Sequence, residues 1–153
     1  MYMTDGDSPS LTRMRDNVAR NVSVVPDCST VHCKQLRWGQ HLAEFKKHCD
    51  LACNEGCFDT IMGSDIIYTH DILEPLFETV DFLLKRSGSG KERNATSGGD
   101  GSANEKKGIF LLAYARRNVK IDDVFATAIK YGFEWTVPPG VEGCFVFSRK
   151  EVE

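Results

Sequence analysis

The stretch that most constrains this chain is "GIFLLAYARR", residues 108–117. It is a near-continuous apolar run, too short for a membrane span and without helical spacing. Such a run is typical of a strand covered on both faces, the setting of a mostly parallel sheet between helices. Its surroundings fit. Asp122-Asp123 open a helix with Val124, Phe125, Ala128 and Ile129 inward, and Gly132 is its stop.

The rest of the chain alternates in the same way. Tyr2 to Thr4 is a short extended piece running into Asp5-Gly6-Asp7. Ser8-Pro9 is a helix start, with Ser8 as N-cap, and Leu11, Met14 and Val18 follow at helical spacing to about Asn21. "STVHCKQLRWG" (29–39) reads as a strand ending near Leu36 or Arg37, with Val31, Cys33 and Leu36 inward. Residues 40–56 form a helical or irregular connection. Phe58 to Met62 reads as a buried strand. Ile72, Leu76, Val80 and Leu83 mark one helix face, widened by Leu73, Phe77 and Leu84. Asp71 and Glu74 lie at its positive end, and Lys85-Arg86 in its last turn. "FEWTVPP" (133–139) and "CFVFSRK" (144–150) read as two closing antiparallel strands around Pro138-Pro139-Gly140. The expected fold class is therefore α/β: a Rossmann-like sheet with helices on both faces and an antiparallel C-terminal strand pair.

Composition excludes several classes. The net charge is −3 over 153 residues, a length that suits one domain. Lys34, Arg37, Lys46 and Lys47 are interleaved with apolar residues and Glu44, a solvated face rather than a nucleic-acid surface. No apolar run approaches the roughly 18–20 residues of a membrane helix. No signal peptide opens the sequence, so the sequons at Asn21 and Asn94 carry little weight and a cytoplasmic or nuclear location is expected.

The six cysteines, at 28, 33, 49, 53, 57 and 144, are expected to be free thiols. Cys49, Cys53 and Cys57 are spaced four apart, which on a helix would line three sulfurs along one side. Zinc sites favour shorter paired spacings, and Leu42, Phe45, Cys49 and Ala52 make an ordinary apolar face. Cysteine as a small core residue is the better reading, and no metal is assigned. Residues 87–108, rich in Gly, Ser and charge, read as a flexible linker. They follow a helix and precede a strand, the reverse of what a phosphate-binding glycine loop requires.

Ligands of such sheets bind beyond the carboxyl ends of the strands. Those ends carry Asp5, Trp38-Gly39, Gly63-Ser64-Asp65, and Tyr114 with Arg116-Arg117. Asp5 can accept from ribose hydroxyls or simply form a turn. Trp38 offers a flat face for adenine or a core anchor. Ser64 lets a ligand approach the backbone. Asp65 and Tyr68 can face an ammonium group, or serve as a helix cap and a half-buried tyrosine.

Together these residues carry a resemblance. "FDTIMGSDIIY" (58–68) resembles the signature of the seven-β-strand protein methyltransferases of the lysine-methylating type, with the D-x-x-Y tetrad Asp65-Ile66-Ile67-Tyr68. "TDGD" resembles the acidic end of their second strand, and "LRWG" (36–39) the segment after their third. The resemblance implies S-adenosylmethionine as cofactor, with Asp5 on its ribose and Trp38 and Ser64 on the adenine side. It implies Asp65 and Tyr68 on the substrate side and a protein lysine as acceptor. It also implies a first strand, central in the sheet, whose glycine-rich turn touches the cofactor. No G-x-G turn follows a strand here, so an N-terminally incomplete domain spanning 1–153, inactive alone, is expected. The rival readings are a non-enzymatic interaction module on a degenerate methyltransferase fold and a small-molecule methyltransferase.

Overall fold

The computed structural model describes residues 1–21, 30–49, 56–86, 107–115 and 118–151. It divides into two compact units, Met1–Asp50 and Leu51–Glu153.

In the first unit β1 (Tyr2–Asp5) runs parallel to β2 (His32–Gln35), in register from Tyr2 opposite His32 to Asp5 opposite Gln35. Tyr2 stacks on His32 at 5.0 Å between ring centroids and donates its hydroxyl to the Cys49 carbonyl at 2.8 Å. Between the strands, α1 (Ser8–Arg20) turns its buried Leu11 inward. Its N-cap is Asp7, one residue before the expected Ser8. The Asp7 carboxylate accepts from the Ser10 backbone N–H at 2.9 Å, a bond that Ser8 would make only if the helix began a residue later. That N–H and the Ser10 hydroxyl hold the Asp7 carboxyl below its usual range. Helix α2 (Leu42–His48) buries Leu42 and Phe45, with Cys49 buried just beyond, three of the four residues expected on that face. The fourth, Ala52, lies outside the described residues.

The second unit is a four-stranded sheet in the order β3-β4-β6-β5. Strand β3 (Thr60–Ser64) is parallel to β4 (Ile109–Ala113), and β6 (Cys144–Arg149) lies antiparallel to both β4 and β5 (Phe133–Thr136). The closing pair is thus antiparallel, as expected. After β3 a 3₁₀ turn (His70–Ile72) leads into α3 (Leu73–Leu83), and α4 (Ile121–Lys130) precedes β5.

Both helices lie on one face of this sheet. Phe77 of α3 meets Phe110, Phe133 and Phe147, all at most 1% exposed, with ring centroids 5.6–6.2 Å apart. Phe125 of α4 stacks on Trp135 at 4.1 Å. The opposite face carries Met62, 71% exposed, beside Leu111 of β4, which in turn lies beside Val146 of β6. The expectation of helices on both faces is therefore not met by the described residues of this unit. Strand β4 shows why the sequence misleads: Phe110 and Leu112 are fully buried, while Ile109, Leu111 and Ala113 are only half-buried.

Three local boundaries also move. Phe58 is an isolated parallel bridge to Leu84, and the strand proper begins at Thr60. Leu84 is extended and ends α3, so Lys85 and Arg86 lie past the helix rather than in its last turn. They pair with Asp59 at 3.2 Å and Asp81 at 3.5 Å. Ile129 is 50% exposed, since Val124, Phe125 and Ala128 already fill the inward stripe of α4.

Two polar clusters tie helices down in this unit. Arg149 of β6 pairs with the Asp81 carboxylate, donates to the Asp81 carbonyl at 2.6 Å and lies 5.1 Å over the Phe133 ring. Glu74 of α3 accepts from Lys130 at 2.6 Å and from the Tyr131 hydroxyl at 2.9 Å, which joins α3 to the end of α4. Of the expected linker, 87–106 lie outside the described residues. Gly108 is buried against Leu84 and Lys85, and Lys107 pairs with Glu151 at 2.6 Å. No described helix is long and apolar enough to cross a membrane.

Candidate functional site

The carboxyl ends of β3 and β4 open into a pocket of about 210 Å³. It is lined by Ser64 and Asp65, by Ala113, Tyr114 and Ala115, and by Glu142, Gly143 and Cys144. The register explains its floor. Ser64 pairs with Ala113 and Ala113 with Cys144, so three small side chains stand in one row across three strands.

Asp65 sits where β3 ends. Its N–H donates to the Ala113 carbonyl at 3.0 Å, one rung beyond the strand ladder. Its φ is +52°, in the left-handed region that aspartate enters more readily than most residues. The chain therefore leaves the sheet sharply at the acid, and Ile67 is buried two residues later at 2% exposure. Backbone strain of this kind concentrates at functional positions. Tyr68, the last residue of D-x-x-Y, is 49% exposed and is not part of the pocket lining.

The far wall is held to the same strand. Tyr114 donates its N–H to the Gly143 carbonyl at 2.7 Å, and its hydroxyl bonds the Val119 carbonyl. Gly143 has φ +72°, and a side-chain carbon there would lie 3.0 Å from the Tyr114 oxygen, so this turn needs glycine twice over. Sequence reasoning placed Asp65, Ser64 and Tyr114 at this rim but missed Glu142, Gly143 and Cys144. "PPGVEG" reads as a turn, and only the insertion of β6 between β4 and β5 brings it to the end of β4.

Asp5 and Trp38 belong to the first unit. Asp5 ends β1, and its Oδ1 accepts from the Asp7 N–H at 2.8 Å, the turn role expected of "DGD". A carboxylate has a second oxygen, so that turn leaves room for a further acceptor role. The loop is braced by Gln35, whose amide donates to the Gly6 carbonyl at 3.0 Å, and by Arg37, which reaches the same oxygen at 3.4 Å. Trp38 is half-buried in the turn after β2.

The cysteine stretch is described only in part. Among the described residues no group of three or more His, Cys, Asp or Glu could hold a metal ion, and Cys53 lies outside them. Cys33, Cys49 and Cys144 are free thiols, as expected, but Cys57 is disulfide-bonded.

Comparison with known proteins adds to this geometry. A family model described as lysine methyltransferase matches residues 1–93. A protein N-terminal and lysine N-methyltransferase efm7 from Aspergillus fumigatus is 25% identical over 88 residues, which are 57% of this chain and 33% of the relative. A protein of the same description from Emericella nidulans is 29% identical over 87 residues, 55% of this chain and 34% of the relative. The matched part of the chain thus spans about a third of the length of these relatives.

Proposed function

We propose a function on the premise that the chain belongs to the lysine methyltransferase family. It carries the ribose side and the acceptor side of an S-adenosylmethionine-dependent protein-lysine N-methyltransferase of the seven-β-strand type. One observation carries this reading: the family match, 1–93, encloses Asp5, Trp38, Ser64, Asp65 and Tyr68, the residues to which the resemblance gives a cofactor or substrate role. The relatives' names support the acceptor class, since an N-terminus and a lysine both offer a primary amine.

The residues suit the cofactor in part. The position of Asp5 at the end of a parallel strand, on a loop braced by Gln35, supports its reading as a ribose acceptor. Trp38 is half-buried, and Ser64 is small and exposed at a strand end. When bound, S-adenosylmethionine supplies a methyl group already activated by its sulfonium. The chain then has only to align the acceptor and keep the site dry. Asp65 receives an N–H of the amine and points its lone pair. Tyr68 shapes the approach. The amine must lose a proton to attack, and partial desolvation at the pocket favours that loss.

We further propose that the site needs one more parallel strand. Among the described residues β1 pairs only with β2, and β3 only with β4. The resemblance sets a central strand with a glycine-rich turn beside both.

The test is radiolabelled methyl transfer to lysine-bearing proteins. It is run with the chain alone and with the chain preceded by a strand, glycine-rich turn and helix from a family member. Label on lysine with the extended chain, lost in Asp65→Asn, is the expected result. Label confined to small molecules or nucleic acid, or none at all with the extended chain, contradicts the reading. The divided sheet is also what a degenerate, non-enzymatic module would show. That rival predicts that Asp65→Asn leaves partner binding intact and that no transfer is ever found.

A further inference from the structure

The rim that holds the pocket also holds an apolar loop that the proposed chemistry leaves unused. Strand β5 is antiparallel to β6, and β6 to β4, so β5 runs in the direction of β4 and ends at the same rim. The loop from Val137 to Gly143 joins β5 to β6 there, and its last two residues, Glu142 and Gly143, are part of the pocket lining. Val137 and Val141 are 57% and 46% exposed, and Pro139 between them is exposed as well. Single exposed apolar side chains are ordinary, but these share one short loop whose backbone is held at both ends. Val141 donates its N–H to the Pro138 carbonyl at 3.3 Å around Pro139-Gly140, and Gly140 has φ +72°, the proline-then-glycine pattern of a type II turn. Farther on, the Tyr114 N–H ties Gly143 to the end of β4. A loop ordered in advance loses little freedom on binding. The pocket itself, at about 210 Å³, falls below the roughly 300 Å³ at which sites for whole small molecules begin, and suits one side chain. A polypeptide that delivers such a side chain must lay its neighbouring residues over the rim, where the loop stands.

We propose that the loop from Val137 to Val141 is the docking surface for the acceptor polypeptide, receiving an apolar side chain that flanks the modified lysine. The inference rests on the lysine-methyltransferase reading of this chain and adds to it a sequence preference. The occupant is a polypeptide segment with valine, leucine or a similar residue beside its lysine. The loop touches no reacting atom, so it acts in binding. Its loss raises KM for a polypeptide acceptor, leaves kcat nearly unchanged, and does not affect an acceptor too short to reach it.

Two measurements test this. In the first, the chain is titrated with two capped peptides, and backbone amide shifts are followed by NMR. One peptide carries lysine between valine and leucine residues, and the other has serines in their places. Shifts at Val137, Val141 and Gly143 are expected with the apolar peptide, and clearly weaker binding with the serine peptide. Val137→Ser combined with Val141→Ser weakens binding of the apolar peptide by about fivefold to tenfold, the scale of one partly buried valine. Ile129→Ser, at a likewise exposed apolar residue on α4, changes nothing. Equal binding of the two peptides, equal binding by the double variant, or no shift in the wild type overturns the proposal. Shifts that follow the concentration of the chain and not of the peptide make the loop a contact between copies, and overturn it too. Should the double variant lose its dispersed spectrum, the peptide comparison and Val137→Thr with Val141→Thr, which keep the side-chain shape, still decide. In the second, KM and kcat are measured with the extended chain, for the apolar peptide and for Nα-acetyl-lysine methylamide. The double variant is expected to raise KM for the peptide alone. Transfer to the peptide with an unchanged KM in that variant overturns the role of the loop and leaves the methyltransferase reading standing. Loop-dependent peptide binding without any transfer sinks that reading and leaves the docking surface standing.

Discussion

Asp65 illustrates how far single residues can be read. "GSD" at a strand end marks it as a candidate, but its left-handed φ of +52° appears only once the Ala113 carbonyl holds its N–H. Asparagine tolerates the same backbone. Asp65→Asn is thus expected to keep the urea midpoint nearly unchanged and, under the proposed function, to lower methyl transfer by the extended chain about 100-fold, the scale of a misaligned acceptor. A large loss of stability would instead make Asp65 a structural turn residue. Glu142 was illegible because its significance depends on β6 crossing between β4 and β5, a pairing no local pattern encodes. The Glu74, Lys130 and Tyr131 cluster was illegible for the same reason, being 56 and 57 residues apart in sequence. It makes a pH prediction. Burial and Glu74 push the Tyr131 phenol up to about 12 from 10.0. Above pH 10 the unfolded chain gives up that proton before the folded one does, so stability falls from pH 10 to about 12. Tyr131→Phe should flatten that fall in alkaline urea titrations. Glu74 shifts the other way: Lys130 and Tyr131 hold its carboxyl below the usual range, so its contribution is present at neutral pH and lost in acid.

At the scale of elements, periodicity located nearly every helix and strand because each has one apolar side. It placed boundaries poorly where a non-local partner sets them. The start of β3 and the end of α3 are one event, the bridge of Phe58 with Leu84. Cys57 and Phe58 donate their N–H groups to the Leu83 carbonyl at 2.7 and 3.1 Å, and Lys85 returns one to Phe58 at 2.9 Å. Gly56 is the residue this junction cannot replace. A side-chain carbon there would lie 2.0 Å from the Leu84 carbonyl oxygen, a backbone atom with nowhere to go. Gly56→Ala should cost about 1–3 kcal/mol in urea unfolding, and a neutral result would show that the junction opens easily. Strand β3 itself is an edge among the described residues, with Met62 71% exposed. Edge strands of this kind invite pairing between chains. Met62→Lys should reduce light scattering of the chain without lowering its melting temperature, whereas a marked drop would show that Met62 is covered in solution.

For the molecule as a whole, the sequence spoke for one α/β sheet, and the described strands form two sheets in two units. The order of elements was readable, since strands and helices alternate. The lateral order was not, because it depends on which edges find partners. The two parallel pairs, β1 with β2 and β3 with β4, each stop at a strand that the resemblance sets next to a further parallel one. Under the proposed function, Asp5 would meet a cofactor only when such a strand is supplied. Calorimetric titration with S-adenosylmethionine tests this most directly, on the chain alone, on the chain preceded by a family strand, glycine-rich turn and helix, and on that extended chain with Asp5→Ala. The account predicts no measurable binding by the chain alone, clear binding by the extended chain, and a loss of about tenfold or more with Asp5→Ala, the scale of a charge-assisted contact pair. Tight binding by the chain alone, or binding by the extended chain that Asp5→Ala does not weaken, would contradict it.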